Sequence, residues 1–303
     1  MKCLITEQFN QKGIELLKKN GIVDIEYNIC RENLLKKIRD YSVLIVRSDT
    51  LVDKALIDYG KCLKVVGMAG IGLNHIDVEY AKSKGISVFN VPRGSNDSVA
   101  ELTMALLLCI NRNVYNAIYA VKNNKWDKTG FTGNLLIGKT IGIVALGKIG
   151  SKVAEFCKAF RMKVIYYDPY IDACTMEKKG IKKVSLEILL KDSDIISLHA
   201  PLTNQTYHMI GKKQFEIMKK ESYIINLGRG GLIDEEALYD ALINKKIKGA
   251  AVDVMEKEPA KYSKLFELNN FIATPHIGAG TIEAQEYIAI SLAKKIIDYF
   301  DNV

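Results

Sequence analysis

The chain has 303 residues, which suits two domains of about 150 residues each. Hydrophobic residues make up 48% and charged residues 26%, proportions that are typical of a globular protein and exclude a disordered one. The net charge of +8 is spread along the chain rather than gathered in a basic block, so we expect no nucleic-acid partner. We interpret it as a lysine-rich surface, with attraction of an anionic substrate as the alternative.

The cysteines and the N-terminus bear on location. The six cysteines form no C-x-x-C pair, and we expect reduced, mostly buried thiols and no metal site. They are Cys3, Cys30, Cys62, Cys109, Cys157 and Cys174. The N-terminus has no secretory pattern, and the longest apolar run, residues 104–110, is too short to cross a bilayer. We therefore expect a cytoplasmic protein with no membrane contact.

Short apolar runs alternate with amphipathic stretches over the first ninety residues. The predicted strands here are residues 3–6, 22–27, 43–46, 65–68 and 87–90. Between them lie helix-like segments such as residues 11–19. The alternation predicts a parallel sheet with helices on both faces.

One long helix is predicted next. It starts at the capping box Ser98-x-x-Glu101 and runs to about Lys122. The segment is apolar on nearly every face, which predicts burial at a domain or subunit contact.

The strand–helix alternation then restarts. The predicted strands are residues 140–145, 163–167, 195–198, 223–226, 249–252 and 271–273. The predicted helices include residues 150–160 and 234–244, and a last helix covers residues 282–300.

A glycine-spaced turn connects the first of these strands to its helix. The segment reads GIVALGKIG over residues 142–150, with Ala145 where a dinucleotide-binding turn has its first glycine. Gly147 would let the backbone approach a pyrophosphate, and Gly150 would let the helix pack closely on the strand. Asp168 ends the next strand, where its carboxylate can accept the ribose hydroxyls and repel a 2′-phosphate. This pattern predicts NAD as the cofactor.

Three polar residues stand beyond the ends of later strands, where open α/β sheets bind their ligands. Arg229 can hold a carboxylate and polarise an adjacent oxygen, and His276 can take a hydroxyl proton. Glu258 beside that histidine would stabilise its charged form. Together they suit the oxidation of a 2-hydroxy acid, although each residue alone is more often structural.

Longer motifs carry a family resemblance. The segments NLGRGGLIDEEAL (226–238), AVDVMEKEP (251–259) and TPHIGAGTIEAQ (274–285) resemble the D-isomer-specific 2-hydroxyacid dehydrogenases. Within that family they are most similar to the D-3-phosphoglycerate dehydrogenases, and the similarity covers essentially the whole chain.

The resemblance implies a role for each matching residue. Arg229, Glu258 and His276 match the catalytic set. The matching cofactor contacts are Gly147, Lys148, Ile149, Gly150, Asp168, Pro169, His199, Pro201, Thr206, Gly228, Asp253 and Gly278, with Asp253 near the nicotinamide amide. The matching substrate contacts are Arg47, Ser48, Gly70, Ile71, Arg93, Arg229 and His276. His75 and His208 match no role.

The resemblance also implies the fold. We expect an α/β protein of two Rossmann-like or flavodoxin-like doubly wound parallel-sheet domains with a cleft between them. Residues 1–96 and 278–303 would form the substrate domain, and residues 97–277 would form the NAD domain. Family members pair through their cofactor domains, so we expect a homodimer.

Three departures from the family pattern matter. We expect the methyl group of Ala145 to be tolerated if its backbone angles suit a residue with Cβ. Met68 stands where phosphoglycerate dehydrogenases often have an arginine, so Arg47 or Arg93 would have to bind a phosphate; either is as readily a surface or hinge residue. The chain stops at Val303, so feedback by serine through a further regulatory domain is not expected.

The expected activity is NAD-dependent oxidation of 3-phospho-D-glycerate to 3-phosphohydroxypyruvate, the first step of serine biosynthesis. The alternative enzyme is a glyoxylate or hydroxypyruvate reductase, which needs no phosphate pocket. A non-catalytic NAD-sensing scaffold is the alternative from another class.

Overall fold

The computed structural model describes residues 1–172, residue 176 and residues 180–302. Cys174 and Val303 therefore lie outside the described residues. The chain divides into two compact units. One contains Met1–Ser95 and the chain from Ala279 onwards, and the other is Asn96–Gly278. These limits differ by one residue from the domain limits expected from the sequence.

The first unit is built on a five-stranded parallel sheet with the order β2-β1-β3-β4-β5. Its strands are β1 (Lys2–Ile5), β2 (Ile22–Ile25), β3 (Val43–Val46), β4 (Val65–Met68) and β5 (Ser87–Phe89). Its helices are α1 (Gln11–Lys18), α2 (Arg31–Lys37), α3 (Lys54–Tyr59), α4 (Val78–Ser83) and α11 (Ile282–Asp301), with a 3₁₀ turn at Ile38–Asp40.

Helices cover both faces of this sheet because its central strands are apolar on both sides. All four residues of β3 are buried. On one face, Cys3 and Ile5 pack in a core with Leu17 of α1 and Leu292 of α11. The other face packs against α2, α3 and α4. The last helix of the chain is therefore part of the core of the first unit.

The second unit is built on a seven-stranded parallel sheet with the order β12-β11-β10-β9-β6-β7-β8. Its strands are β6 (Thr140–Val144), β7 (Lys163–Tyr167), β8 (Lys182–Lys183), β9 (Ile195–Leu198), β10 (Tyr223–Asn226), β11 (Gly249–Val252) and β12 (Phe271–Ala273). Its helices are α5 (Asn96–Asn111), α6 (Val114–Lys122), α7 (Lys148–Ala159), α8 (Leu186–Asp192), α9 (Lys212–Ile217) and α10 (Glu235–Ile243), with a 3₁₀ turn at Lys264–Glu267.

The strand order confirms the predicted doubly wound architecture. Counted from β6, the second sheet has the order 3-2-1-4-5-6 of dinucleotide-binding sheets with one further strand. The chain reverses direction across the sheet between β6 and β9, where such sheets bind ligands beyond the carboxyl ends of the strands. The first sheet has the flavodoxin-like order.

The predicted long helix is wrong in two respects. It is two helices, because Asn113 adopts a left-handed φ of 54° between α5 and α6. Ser98 is not a cap either, since α5 begins at Asn96 and the Ser98 hydroxyl donates to the carbonyl of Gly278 at 2.6 Å. Hydropathy alone could not show this break, because it carries no information on the backbone angles of an asparagine.

Two burial predictions also need correction. Helix α5 is largely buried, but α6 is not, with Ile118 and Tyr119 exposed in the single chain. The cysteines are not mostly buried: of those described, only Cys3 and Cys157 are buried, while Cys30 and Cys62 are exposed.

No helix among the described residues has the length and apolar character that a bilayer crossing requires.

Candidate active site

The carboxyl edge of the seven-stranded sheet carries the predicted catalytic residues. Arg229 follows β10, Glu258 lies in the loop after β11, and His276 follows β12. Because these three strands are neighbours and parallel, their carboxyl ends lie side by side.

His276 and Glu258 form a direct pair. The Nδ1 atom of His276 lies 2.6 Å from Oε2 of Glu258, and the other carboxylate oxygen accepts the backbone N–H of Met255 at 3.0 Å. The hydrogen bond with Glu258 raises the pKa of His276 from its usual value, against the effect of burial. Burial acts to raise the pKa of Glu258, but its hydrogen bonds from His276 and Met255 outweigh it and the pKa is lowered. Both shifts favour an imidazolium–carboxylate pair.

Arg229 is held close to this pair. Its Nη1 atom donates to the carbonyl of Gly228 at 2.7 Å, and the Asn226 side chain accepts from Gly228 and donates to the Arg229 carbonyl. Burial lowers the pKa of Arg229, while the charge of Glu258 acts in the opposite direction. The guanidinium keeps its charge at neutral pH, because the normal pKa of arginine is above 12.

The Arg229 turn and the Glu258 loop pack backbone to backbone. A Cβ added to Gly230 would lie 1.8 Å from the carbonyl oxygen of Met255 and 2.8 Å from the backbone nitrogen of Glu256. No side chain fits there, so a glycine is needed for this close approach. The positions of Arg229 and Glu258 are therefore coupled through the main chain.

Asp253 anchors the loop that carries His276. Its Oδ1 accepts from the Thr274 hydroxyl at 2.5 Å and the Ile277 N–H at 2.9 Å, and its Oδ2 accepts from the Gly278 N–H at 2.8 Å. Burial raises the pKa of Asp253, and the three hydrogen bonds oppose that effect. The sequence suggested only a cofactor contact for this residue. The sequence did not indicate that Asp253 anchors this loop, because an aspartate just after a strand shows no link to a loop about twenty residues further along the chain.

His276 itself has an unusual backbone conformation. Its φ is 53°, and its N–H donates to the carbonyl of Thr274 at 3.0 Å. A left-handed histidine costs roughly 1–3 kcal/mol unless its surroundings hold it in place. The Asp253 contacts and the Glu258 hydrogen bond do this, so the imidazole has a fixed direction.

The turn between β6 and α7 fits a dinucleotide. Gly147 caps α7 with no side-chain hydrogen bond, and a Cβ there would meet nothing within 4 Å. The first turn of α7 can therefore present N–H groups to a pyrophosphate in open space. A Cβ at Gly150 would lie 2.3 Å from the carbonyl of Ala145, so the close packing predicted for Gly150 is present.

Ala145 does not meet the condition under which we expected its methyl group to be tolerated. Its φ is 68°, in the left-handed region that favours glycine. The residue is held there because its N–H pairs with the Tyr167 carbonyl at 2.8 Å. The turn keeps the shape of a glycine turn and carries about 1–2 kcal/mol of strain.

Asp168 follows β7 and is buried beside the same turn. Its Oδ2 accepts the N–H of Leu146 at 2.9 Å, and its Oδ1 accepts the N–H of Tyr170 at 2.8 Å. A carboxylate has about four acceptor sites, so sites for ribose hydroxyls remain. The residues present therefore fit an adenosine ribose and a pyrophosphate.

The other predicted cofactor residues lie at the same edge of the sheet. Burial lowers the pKa of His199 to about 4, so it stays neutral, and its Nε2 lies 2.8 Å from the Ser197 hydroxyl. The Thr206 hydroxyl donates to the Pro201 carbonyl at 2.6 Å, which closes the loop after β9. A Cβ at Gly228 would lie 3.0 Å from the Ala200 carbonyl. The remaining members are Lys148 and Ile149 in the first turn of α7, Pro169 after Asp168, and Gly278 bound to Asp253.

The predicted substrate residues in the first unit follow β3, β4 and β5. The N–H of Arg47 donates to Glu7 at 2.8 Å, and the Ser48 hydroxyl lies 3.2 Å from Asp49. The Gly70 N–H bonds to the Met68 carbonyl, and the Ile71 carbonyl accepts from Asn90. Arg93 is exposed.

Met68 occupies the space beside Gly70. It is buried, and its Cε would lie 2.8 Å from a Cβ added to Gly70. A thioether rather than a cation therefore lines this point of the first unit.

Sequence reasoning missed several polar contacts around these loops. Glu7 accepts backbone N–H groups from Arg47, Asp49 and Thr50 and so shapes the loop after β3. In the described part of the chain, one group of metal-type ligands lies within 4.8 Å of one another, and its members already pair with each other or cap α10. It consists of His208, Asp234 and Glu256.

The comparisons with known proteins identify the family. Residues 104–278 match the family model described as D-isomer specific 2-hydroxyacid dehydrogenase, NAD binding domain. The chain belongs to the D-isomer-specific 2-hydroxyacid dehydrogenase family. Residues 104–278 are thus the part that binds a nicotinamide cofactor.

Relatives within the family include different dehydrogenases and reductases. D-3-phosphoglycerate dehydrogenase of Methanocaldococcus jannaschii is 46% identical over 98% of this chain, which covers 57% of that protein. Hydroxypyruvate reductase of Thermotoga maritima is 43% identical over 96% of both chains. The chain thus spans little more than half of the first relative and nearly all of the second.

A solved structure extends the comparison. D-lactate dehydrogenase from Aquifex aeolicus, complexed with NAD and lactic acid, has a TM-score of 0.87 and 31% identity, over 99% of this chain and 96% of that one.

Proposed function

We propose that the chain oxidises 3-phospho-D-glycerate to 3-phosphohydroxypyruvate with NAD, the first step of serine biosynthesis. The observation that carries the dehydrogenase function is the hydrogen bond of 2.6 Å between His276 and Glu258. The similarity to the phosphoglycerate dehydrogenase of Methanocaldococcus jannaschii supports the substrate.

The proton would move on His276. Its Nδ1 atom faces Glu258, so its Nε2 atom is the one that takes the proton of the C2 hydroxyl. Glu258 stabilises the imidazolium that forms. Arg229 would hold the substrate carboxylate and polarise the C2 oxygen. A bound nicotinamide would supply the acceptor for the hydride from C2. In the reverse reaction His276 returns the proton to the keto oxygen.

We propose that the predicted cofactor-contact residues bind NAD rather than NADP. Asp168 supports this choice, because its carboxylate would repel a 2′-phosphate at the end of β7. Lys148 and Ile149 would present the first turn of α7 to the pyrophosphate, and His199, neutral at physiological pH, would serve as a polar contact rather than a base.

A hydroxypyruvate or glyoxylate reductase is the second candidate. Met68 favours it, since a buried thioether beside Gly70 offers nothing to a phosphate. The 43% identity to the Thermotoga maritima hydroxypyruvate reductase also favours it. The phosphoglycerate assignment therefore needs Arg47 or Arg93 as the phosphate ligand.

A turnover assay with NADH and 3-phosphohydroxypyruvate, hydroxypyruvate or glyoxylate decides between these functions. We expect kcat/KM to be at least about tenfold higher for the phosphorylated acid. The other two acids lack a phosphate and so lose one charge-assisted contact, which accounts for a factor of this size. Equal or higher values for the other two acids would contradict the assignment. Retained NADH binding without any turnover would support a scaffold.

Arginine variants locate the phosphate ligand. Arg47→Ala or Arg93→Ala should lower kcat/KM for 3-phosphohydroxypyruvate more than for hydroxypyruvate. Arg39→Ala is the matched control, because Arg39 is exposed and follows α2 at the other end of the first unit. If each variant lowers kcat/KM for both substrates by the same factor, these arginines do not bind a phosphate.

We also propose a homodimer that pairs through the second unit. Its support is the exposed apolar surface of α6, formed by Val114, Tyr115, Ile118, Tyr119 and Val121. Exposed apolar surfaces of this kind mark interaction sites. Ile118→Asp with Tyr119→Lys should convert the dimer into monomers in light-scattering measurements, while a wild-type monomer would contradict the proposal.

The cysteines described, all free, support a cytoplasmic location.

A further inference from the structure

A reciprocal hydrogen-bonded pair lies behind the catalytic glutamate. The backbone N–H of Glu256 donates to Oε1 of Glu235 at 2.7 Å, and the backbone N–H of Glu235 donates to Oε1 of Glu256 at 3.2 Å. Glu235 begins α10, and Glu256 lies two residues before Glu258. The pair thus ties the first turn of a helix to the loop that carries the catalytic carboxylate.

His208 completes this arrangement. Its Nε2 atom lies 2.8 Å from Oε1 of Glu256, and its Nδ1 atom lies 3.9 Å from Oδ2 of Asp234. Its ring stacks on Tyr207 with the centroids 3.9 Å apart. Asp234 is itself fixed, since its Oδ1 caps α10 at the N–H of Ala237. The imidazole therefore contacts the same Glu256 oxygen that accepts the Glu235 N–H.

The loop that the pair holds is in direct contact with the active site. The N–H of Met255 donates to Glu258, and the carbonyl of Met255 packs against Gly230 of the Arg229 turn. A small cavity beside this loop is lined by Glu235, Met255 and Gly230 among others. The position of the loop therefore depends on the hydrogen bond from Glu256 to the Glu235 carboxylate as well as on its contact with Gly230.

We propose that Glu235 is a positioning residue for the Glu258–His276 pair. Its carboxylate holds the Glu256 N–H and so keeps Glu258 aligned with His276. Its negative charge, facing Glu258, favours the protonated imidazole. The role deepens the proposed dehydrogenase function and rests on it.

The charges around Glu235 determine the direction in which the pKa of His276 changes when the Glu235 charge is removed. Burial raises the pKa of Glu235, and the charges of Glu256 and Glu258 add to this, while the hydrogen bond from the Glu256 N–H and the charge of His208 oppose it. Glu258 also interacts with the charges of His276 and Arg229. Loss of the Glu235 charge removes a negative potential from the surroundings of the Glu258–His276 pair. The pKa of His276 should therefore fall.

Two variants separate the hydrogen bond from the charge. Glu235→Gln keeps an oxygen acceptor but loses the charge. It should keep kcat for keto-acid reduction within about threefold and move the alkaline limb of the pH profile about 0.3–0.5 units lower, as a charge several ångströms away does. Glu235→Ala loses both, so kcat should fall about tenfold while KM for NADH stays unchanged. Glu236→Gln, at the exposed neighbour in the same helical turn, should change neither.

Two readouts do not depend on turnover. Hydrogen exchange of the segment 253–259 should accelerate in Glu235→Ala and not in Glu235→Gln. The NMR titration of His276 should move to lower pH in Glu235→Gln and not in Glu236→Gln. If the wild-type protein reduces no keto acid, the proposed function fails, while these two readouts still test the positioning. Unchanged exchange in Glu235→Ala, or an unchanged titration in Glu235→Gln, overturns the inference.

Discussion

The imidazole of His276 and the carboxylate of Glu258 are joined by a hydrogen bond of 2.6 Å, although eighteen residues separate them in the chain. Each makes the charged form of the other more stable, which raises the pKa of the histidine and lowers that of the glutamate. In the proposed reaction, the pair would therefore set the pH range in which a proton is exchanged with a substrate oxygen.

The pH profile should follow this pair. Reduction of a keto acid needs a protonated His276, so activity falls as the pH rises through the pKa of His276 in the free enzyme. Glu258→Gln removes the carboxylate that raises this pKa, so the alkaline limb of kcat/KM should move about one unit lower. Glu267→Gln, an exposed carboxylate of the same unit, is the control. An unmoved limb in the Glu258 variant would show that the pair does not set it.

Replacement of His276 should separate chemistry from cofactor binding. His276→Ala removes the group that we propose exchanges the proton, so kcat should fall by roughly 10²–10⁴. NADH affinity, followed by fluorescence titration, should stay within a few-fold. Turnover that survives at more than about a tenth of the wild-type rate would exclude His276 as the acid–base group.

Asp253 should act mainly through the loop of residues 274–278. Asp253→Ala leaves one buried N–H donor, one part-buried N–H donor and one hydroxyl without their acceptor, which should lower the free energy of unfolding by about 2–4 kcal/mol. We expect kcat to fall with it, because His276 loses its support. Urea denaturation and steady-state kinetics measure both effects. If unfolding is unchanged and only the NADH affinity falls, the residue is a cofactor contact instead.

Gly230→Ala tests the main-chain contact between the Arg229 turn and the Glu258 loop. A methyl group would lie 1.8 Å from the Met255 carbonyl, so the loops must separate, and kcat should fall at least about tenfold. Gly211→Ala is the matched control, since its φ is −125° and the nearest atom to an added Cβ lies 3.7 Å away. Equal activity of the two variants would disprove the coupling.

Much of the fold could be predicted because the strands carry their own signal. The strands β3, β4, β7 and β9 to β12 have the predicted limits, since short apolar runs between turns are typical of parallel strands. The break at Asn113 and the true start of α5 could not be predicted, because they depend on backbone angles and on the tertiary contact of Ser98 with Gly278.

The sequence predicted the residues of the candidate site but not the contacts that hold their loops in place. Arg229, Glu258 and His276 stand in long motifs that the sequence displays. The contacts of Asp253 and the pairing of Glu235 with Glu256 join segments about twenty residues apart, and no local pattern encodes them. The conformation of Ala145 was equally hidden, since the sequence shows a methyl group but not the φ of 68° that it occupies.

The place of α11 in the first unit has a consequence for biosynthesis. The ribosome releases β1 to β5 first, yet Ile5 and Leu17 pack against Leu292, which is made after the entire second unit. The nascent first unit must therefore wait with one apolar face uncovered while the second unit, a continuous segment, can already fold. Its exposure to chaperones during that interval is fixed by chain order rather than by the stability of the finished protein.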